Sequence, residues 1–137
     1  MKTFKKEERL CNRRYLDLLF VDGSSFLLYP YRVSYIFVPA ENTFPTQAVI
    51  NVSKRRYKRA VDRNLIKRRI REAYRLHKEQ ELYIKLPGGP ELLLLSLQFV
   101  GKKIYDYSFM EKKLIDALRK LTSIIEANEA KKVNGGN

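Results

Sequence analysis

The residues of this sequence best suited to chemistry are arginines and lysines that crowd into one segment. Residues 54–78 hold twelve of the chain's 28 cationic side chains and only two acidic ones, Asp62 and Glu72. Guanidinium and ammonium groups bind phosphate oxygens through charge-assisted hydrogen bonds. The rest of the chain is nearly balanced in charge, so this segment accounts for most of the net charge of +13. Such a local concentration predicts a binding site for a polyanion.

Side chains that commonly catalyse reactions are sparse. The single cysteine, Cys11, excludes an internal disulfide and a cysteine-based zinc site, and the single histidine, His77, excludes a histidine-rich metal site. Phosphodiester hydrolysis by a protein alone would need clustered carboxylates for two metal ions, whereas the acidic residues here are scattered along the chain. We therefore predict no catalytic and no metal-binding residue in the protein, and we expect His77 to contact helix-terminal carbonyls or water.

Size and composition are those of one domain. The chain has 137 residues, of which 45% are hydrophobic, enough for a single packed core. Residues 1–10 lack the apolar stretch of a signal peptide, and the longest apolar run, at 92–95, is far shorter than the ~20 residues that span a membrane. We expect a cytoplasmic protein with one RNA-binding domain over residues 1–130, including a flexible basic arm at 1–11, and a disordered tail at 131–137.

Hydrophobic periodicity predicts the elements that position the basic segment. Leu16, Leu19 and Phe20 share one face of a predicted helix at residues 12–21, which Asn12 caps and a left-handed Gly23 follows. The other elements are predicted from alternation or helical spacing: strands at 26–29, 31–38, 46–52 and 92–100, and helices at 59–78 and 106–127.

The predicted helix at residues 59–78 has an apolar side and a cationic side. The apolar side comprises Leu65, Ile66, Ile70, Ala73 and Leu76, and the other side comprises Arg63, Asn64, Lys67, Arg68, Arg71, Arg75 and Lys78. Because so many unpaired charges cannot be desolvated in a core, the cationic side must meet water or a polyanion. Arg69 falls among the apolar positions, where its stem either extends the guanidinium outward or brings it to Asp62.

A second candidate surface is aromatic. Tyr31 and Tyr35 share one face of a predicted strand, where they either stack on the bases of a single strand or pack in the core. Leu16 and Phe20 of the first helix either wall such a cleft or pack in the core. Ser53 follows the third strand and would join this surface to the basic helix.

Residues 52–75, VSKRRYKRAVDRNLIKRRIREAYR, closely resemble the signature of the bacterial ribonuclease P protein subunit. In that family a strand ends in V-S-K-[KR], and after a short connection a helix carries A-V-x-R-N-x-x-K-R-x-x-R-E. The matching positions are Val52, Ser53, Lys54, Arg55, Ala60, Val61, Arg63, Asn64, Lys67, Arg68, Arg71 and Glu72. The sequence departs from the family pattern at Leu65, usually arginine, at Lys58 and Arg59, usually Gly-Asn, and at Arg69, usually apolar.

The resemblance implies a fold and a function. The fold is α+β, a two-layer α/β sandwich of order α-β-β-β-α-β-α, with a four-stranded sheet and a left-handed β-α-β crossover that is an exception to the usual right-handed rule. The same fold occurs in a domain of a small-subunit ribosomal protein. The function is that of the protein subunit of ribonuclease P, a tRNA-processing ribonucleoprotein whose large RNA catalyses endonucleolytic hydrolysis that removes the 5′ leader of precursor tRNA.

The expected partners are ribonuclease P RNA and precursor tRNA. The resemblance further implies Mg²⁺ bound mainly to the RNA, no membrane, and a protein that is monomeric on its own. The residues expected to contact the catalytic RNA are Lys54, Arg55, Arg59, Arg63, Asn64, Lys67, Arg68, Arg71 and Arg75. The residues expected to form the leader-binding cleft are Leu16, Phe20, Tyr31, Tyr35 and Ser53.

Two other functions fit the composition. A structural RNA-binding protein, such as a small ribosomal protein, would carry a similar charge, but the signature favours the ribonuclease P subunit. A DNA-binding regulator would place the basic helix in a major groove. It would also need a dimer interface, and no apolar seam is left over to form one.

Overall fold

The computed structural model describes residues 2–135, with side chains described for residues 2–132. The elements in chain order are α1 (Arg13–Asp22), β1 (Ser24–Leu28), β2 (Tyr31–Pro39), β3 (Thr46–Val52), α2 (Ala60–Glu81), β4 (Glu91–Phe99) and α3 (Tyr107–Gly135). Short 3-10 turns at Lys6–Glu8 and Tyr83–Lys85 precede α1 and follow α2. The predicted α+β order, α-β-β-β-α-β-α, is confirmed.

One four-stranded sheet, in the order β1-β2-β4-β3, organises the chain. Strands β1 and β2 are antiparallel, as are β2 and β4, whereas β3 and β4 are parallel and joined by α2. Strand β4 lies between two neighbours and is buried on both faces. That position explains why its sequence is continuously apolar rather than alternating.

The two faces of the sheet are covered unequally. Helices α2 and α3 cover one face, where Ile66, Ile70 and Leu118 are buried against alternate residues of the central strands. The short helix α1 packs on the opposite face through Leu19, which contacts a smaller cluster that includes Leu94. Helices α2 and α3 and the sheet form the two layers that were predicted, and α1 adds a partial cover to the other face. No helix in the described part of the chain is long and apolar enough to cross a membrane.

At the ends of the helices one prediction is confirmed and two are wrong. Asn12 caps α1 as predicted, accepting a hydrogen bond from the backbone N–H of Tyr15 at 3.2 Å. Gly23 after α1 is extended rather than left-handed, and it is glycine because a Cβ there would lie 2.3 Å from the carbonyl oxygen of Leu19. Helix α3 continues to Gly135, since residues 128–132 contain no helix breaker. Residues 136 and 137 of the predicted disordered tail lie outside the described residues.

The segment predicted to be a flexible arm is docked on the domain from residue 2 onward. Leu10 is buried and its backbone N–H donates to the carbonyl of Ala48 in β3 at 2.9 Å. Glu8 is fully buried and forms an ion pair with Lys78 of α2. The prediction was wrong because this pairing joins residues 70 positions apart, which local charge patterns do not show.

The carboxylate of Glu8 and the ammonium group of Lys78 are well satisfied. Glu8 accepts hydrogen bonds from the Tyr83 hydroxyl at 2.8 Å and from the Lys5 backbone N–H at 2.8 Å. The Lys78 ammonium donates to the Thr3 carbonyl and lies 5.7 Å from the ring centroid of Phe4. Lys78 therefore belongs to the interior and not to the cationic side of α2, where it was predicted.

The hydrogen bonds around Glu8 hold its pKa below the usual range. Burial raises the pKa, but hydrogen bonds from Lys78, the Lys5 backbone and Tyr83 together lower it by more. A group whose pKa is lower in the folded state stabilises the fold above its ordinary pKa. It loses that contribution as the pH falls through the folded-state value. The docked arm should therefore be most stable at neutral pH and weaken in acid.

We expect Lys78→Met to lower the free energy of unfolding by about 3–5 kcal/mol at pH 7, because it leaves the Glu8 carboxylate buried and unpaired. Urea unfolding measures this difference. The matched control is Glu8→Leu/Lys78→Met, which removes both charges and should recover most of the loss, since apolar replacement of a buried pair is often neutral. A Lys78→Met protein as stable as wild type would contradict docking through this pair.

Candidate nucleic-acid interface

Helix α2 presents a cationic surface next to the sheet edge. Its buried residues, which include Ile66, Ile70, Ala73 and Tyr74, hold one side against the core. The predicted RNA-contacting residues on the outside are exposed or half-buried: Lys54, Arg55, Arg59, Asn64, Lys67, Arg68 and Arg71. We call Asn64, Lys67, Arg68 and Arg71 the basic face of α2.

The cations of this surface lack acidic partners. Among the described residues the ion pairs involve Glu8, Glu72, Glu81, Glu111 and Glu129, and none of these pairs includes a member of the basic face. Their charges are therefore left to solvent or to an external anion. This arrangement fits a phosphate backbone, because several unpaired cations in a row can each bind a phosphate and so increase the affinity.

Two predicted RNA-contacting arginines are already engaged within the protein. Arg63 donates from Nη1 to the backbone carbonyls of Tyr57 and Lys58, both at 2.8 Å, and so ties the loop before α2 to the helix. Arg75 forms a close ion pair with Glu72, with Nη2 and Oε1 2.6 Å apart. The Arg75 hydrogen bond is the main reason that the pKa of Glu72 is lowered. Arg63 and Arg75 therefore both stabilise the local structure through partners within the protein.

Other charged residues of the basic segment also have structural partners. Arg69 donates to the backbone carbonyl of Tyr105 in the connection between β4 and α3, and it does not pair with Asp62. That contact explains how an arginine is tolerated among apolar positions.

His77 lies with Nε2 2.9 Å from the Glu111 carboxylate of α3, rather than at the terminal carbonyls of the helix. In the described part of the chain no group of three or more His, Cys, Asp and Glu residues lies together to hold a metal ion.

The loop between β3 and α2 is ordered by Ser53. Its hydroxyl oxygen accepts hydrogen bonds from the backbone N–H groups of Arg55 and Arg56 at 3.2 and 3.4 Å. The loop is further fixed by Tyr57, whose hydroxyl donates to the carbonyl of Gly101 at 2.7 Å. Ser53 thereby holds Arg55 and Arg56 around a cavity of about 230 Å³ that Gln98 also lines.

The sheet face under α1 continues beyond the helix as a polar surface. Cross-strand pairing aligns Ser34 with Ser96, and it aligns Arg32 with Gln98 and then Asn51. Asn51 donates from its side-chain nitrogen to the Ser96 hydroxyl at 3.3 Å. We call these five residues the open sheet face, because all except Ser96 are at least partly exposed. Period-2 alternation of polar residues in β2, β3 and β4 is the sequence signal that could have identified it.

The structure does not bring Tyr31 and Tyr35 to α1, contrary to the predicted cleft. Side chains along a strand point alternately to its two faces. Ile36 of β2 packs against α1, so Tyr31 and Tyr35 face α2 and α3 instead. Tyr31 is completely buried and its hydroxyl donates to the carbonyl of Met110 at 2.9 Å. Tyr35 is half-buried in the same core, 6.3 Å from the ring of Phe26. Tyr31 is therefore a core residue whose ring is not available for stacking on bases, and Tyr35 lies on the side of the sheet away from α1.

Helix α1 contributes one strongly exposed aromatic ring. Phe20 is 60% exposed, whereas Leu16 is half-buried against the cluster around Leu19. On the same side of the sheet as the open face, Leu27 is 55% exposed. Of the predicted cleft residues, Leu16 thus packs on the α1 side of the sheet, Phe20 is exposed one turn further along α1, and Ser53 follows β3, whereas the two tyrosines lie on the opposite side of the sheet.

Comparison with known proteins identifies relatives along most of the chain. The family model described as Ribonuclease P matches residues 4–121. The ribonuclease P protein component of Porphyromonas gingivalis is 29% identical over 126 residues, which cover 92% of this chain and 91% of that protein. The ribonuclease P protein component of Petrotoga mobilis is 33% identical over 122 residues, which cover 88% of this chain and 96% of that protein.

Solved structures share the fold. The RNase P protein from Thermotoga maritima superposes with a TM-score of 0.62 at 24% identity, covering 82% of this chain and 96% of that one. The RNase P protein of Staphylococcus aureus superposes with a TM-score of 0.60 at 19% identity, covering 86% and 97%. The four-stranded sheet with its helices is therefore an architecture that these proteins have in common.

We expect Arg63→Ala to lower the free energy of unfolding by about 1–2 kcal/mol, because two charge-assisted hydrogen bonds to loop carbonyls are lost. Arg68→Ala, on the exposed face of the same helix, is the matched control and should change it by less than about 0.5 kcal/mol. Thermal or urea unfolding distinguishes the two variants. Equal stability of both would mean that Arg63 does not fix the loop.

Proposed function

The chain belongs to the ribonuclease P protein family, and on that basis we propose that it binds the catalytic RNA of ribonuclease P and the 5′ leader of precursor tRNA. In this role it assists the endonucleolytic removal of the leader, while the RNA subunit supplies the catalysis. One observation supports the proposal most directly: the basic face of α2 carries Lys67, Arg68 and Arg71 without ion-pair partners among the described residues, within the family signature.

Contact with the catalytic RNA is assigned to α2 and the loop before it. Lys54, Arg55 and Arg59 extend the basic face of α2 along the connection from β3. Each phosphate neutralised by such a cation releases counterions, so the affinity should fall steeply with salt. Arg63 and Arg75 contribute less directly, because each already has a partner within the protein.

The leader is assigned to the open sheet face rather than to the predicted tyrosine cleft. Phe20 offers an exposed ring at one side for stacking on a base, and Gln98 and Asn51 offer amide groups. Arg32 and the loop that Ser53 organises add cations for the leader phosphates. The surface crosses three adjacent strands about 4.8 Å apart, so it offers polar groups from more than one strand to the leader.

The protein's contribution to catalysis is proposed to be electrostatic and positional. No step is assigned to a side chain, because the acidic residues of the described part of the chain form no group that fits a metal ion. Magnesium ions are proposed to lie mainly on the RNA, where they would supply the activated water and stabilise the leaving oxygen. Cations of α2 would lower the repulsion between catalytic RNA and substrate, so that less magnesium is needed.

Reconstitution tests the cofactor role. Purified protein is mixed with a bacterial ribonuclease P RNA and a precursor tRNA at low, near-physiological magnesium, and cleavage at the mature 5′ end should require both components. Arg68→Ala should weaken RNA binding and flatten the plot of log affinity against log salt by about one unit, whereas exposed Lys112→Ala in α3 should change neither. RNA binding without any gain in cleavage would instead favour a structural RNA-binding protein.

Leader binding is tested separately with Phe20→Ala. We expect an affinity loss of about 1–2 kcal/mol for precursor tRNA carrying a long leader, because one base loses its stacking partner. A precursor with a single-nucleotide leader is the control substrate and should bind both proteins equally. Val21→Ala, at the neighbouring exposed position, controls for loss of apolar surface. An equal loss for both substrates would contradict leader contact at Phe20.

A further inference from the structure

A cavity of about 300 Å³ lies between the docked arm and the edge strand β3, beside the basic face of α2. Its buried wall is apolar and is formed by Leu10 and Ala48, with half-buried Val49 and Ile50 alongside. Its exposed rim carries Arg9 from the arm and Arg71 from α2. We call this cavity the arm pocket. The predicted RNA-contacting residues included Arg71 but not Arg9, because the two lie far apart in the sequence.

The rim of the arm pocket is cationic and lined by no carboxylate. Arg9 donates once, from Nη2 to the Phe4 carbonyl at 3.0 Å, and its guanidinium lies 5.5 Å from the Phe4 ring centroid. The remaining guanidinium N–H groups of Arg9 have no acceptor among the described residues, and those of Arg71 have none either. Two guanidinium groups beside an apolar wall fit a ligand with an anionic end and a flat apolar part.

Buried contacts of the two residues next to Arg9 in the chain, Glu8 and Leu10, fix its position at this rim. Arg9 pairs with Ala48 as an isolated parallel bridge, and the next residue, Leu10, is buried. The preceding residue, Glu8, is anchored by the buried ion pair with Lys78. The rim is therefore preorganised before any ligand arrives, which reduces the entropy lost on binding.

We propose that the arm pocket binds one unstacked nucleotide of the catalytic RNA, with the base against Ala48 and Ile50, which share the α2 side of β3, and the phosphate between Arg9 and Arg71. Unpaired nucleotides offer the flat face and the phosphate that such a pocket requires. The catalytic RNA is the source because Arg71 also belongs to the basic face of α2. This inference rests on the proposed function, since it needs the same RNA partner.

The single cysteine provides a direct test of position. Cys11 is exposed and lines the arm pocket, so an aryl-azide maleimide attaches to the protein at one place only. After irradiation with a bacterial ribonuclease P RNA, we expect cross-links confined to one unpaired nucleotide or its immediate neighbours. The control protein, Cys11→Ser/Lys112→Cys, carries the same reagent on α3 and should not label that nucleotide. Cross-links spread over duplex backbone, or confined to precursor tRNA, would overturn the assignment.

Binding measurements on unlabelled protein test the pocket independently of the reagent. Arg9→Ala and Arg71→Ala should each weaken RNA affinity about ten-fold, as for loss of a charge-assisted hydrogen bond, whereas Lys6→Ala on the same arm should change it less than about two-fold. Arg71 has no internal partner among the described residues, so its variant stays informative if Arg9→Ala loosens the arm. An Arg9→Ala effect no larger than that of Lys6→Ala, with Arg71→Ala also without effect, would overturn the proposal.

An abasic substitution connects the two measurements. Removing the base of the cross-linked nucleotide should weaken binding to wild type and to Lys6→Ala about ten-fold, but to Arg9→Ala less than about two-fold, because coupled contacts are not additive. Equal losses in all three proteins would place the base elsewhere. If the arm pocket bound a peptide strand at the edge of β3 instead of a nucleotide, then Arg9→Ala, Arg71→Ala and the abasic substitution would all leave the RNA affinity unchanged. That result would overturn the proposal. Failure of all RNA binding would contradict the proposed function itself, whereas tight binding without pocket dependence would contradict this inference alone.

Discussion

Helix α2 must satisfy two opposite demands along its length, and the rest of the molecule is arranged around that constraint. One side buries Ile66, Ile70, Ala73 and Tyr74 in the main core, while the other carries cations whose desolvation would cost more than burial returns. A helix of this kind can lie only at the boundary between core and solvent. The parallel pair β3 and β4, which α2 connects, holds it there, and α3 covers the remaining apolar side. The basic face of α2 is thus a consequence of the packing as much as of the charge count.

The same constraint divides the cations of residues 54–78 into those that bind partners within the protein and those that remain unpaired. Where an arginine or lysine of the segment lies near the core or a loop, a carbonyl or carboxylate partner satisfies it, as seen for Arg63, Arg69 and Lys78. On the basic face of α2, no acid in the described part of the chain accompanies the outward-facing cations, as seen for Arg68 and Arg71, whereas Arg75 beside this face pairs with Glu72. The same run of residues therefore stabilises the fold at one set of positions and leaves charge free for a polyanion at another.

The sheet and the arm extend the candidate interface beyond α2. Helix α1 covers only part of its face, and the uncovered remainder carries cross-strand polar side chains instead of aromatic rings. The docked arm brings Arg9 to the edge of β3 through the buried pair of Glu8 and Lys78. Three regions, the basic face of α2, the open sheet face and the arm pocket, are consequently positioned by elements that share one four-stranded sheet.

Local patterns in the sequence determined the element order, the amphipathic α2 and the family, because hydrophobic periodicity and the signature at residues 52–75 are properties of neighbouring residues. Only the tertiary structure decided which side of β2 faces α1. The alternating pattern of β2 places Tyr31 and Tyr35 on one face of the sheet and Ile36 on the other. The pattern alone does not specify which of these faces α1 covers. Tertiary contacts also decided that Glu8 and Lys78 are buried, since each would be too costly to desolvate without the other and the two lie far apart in the chain.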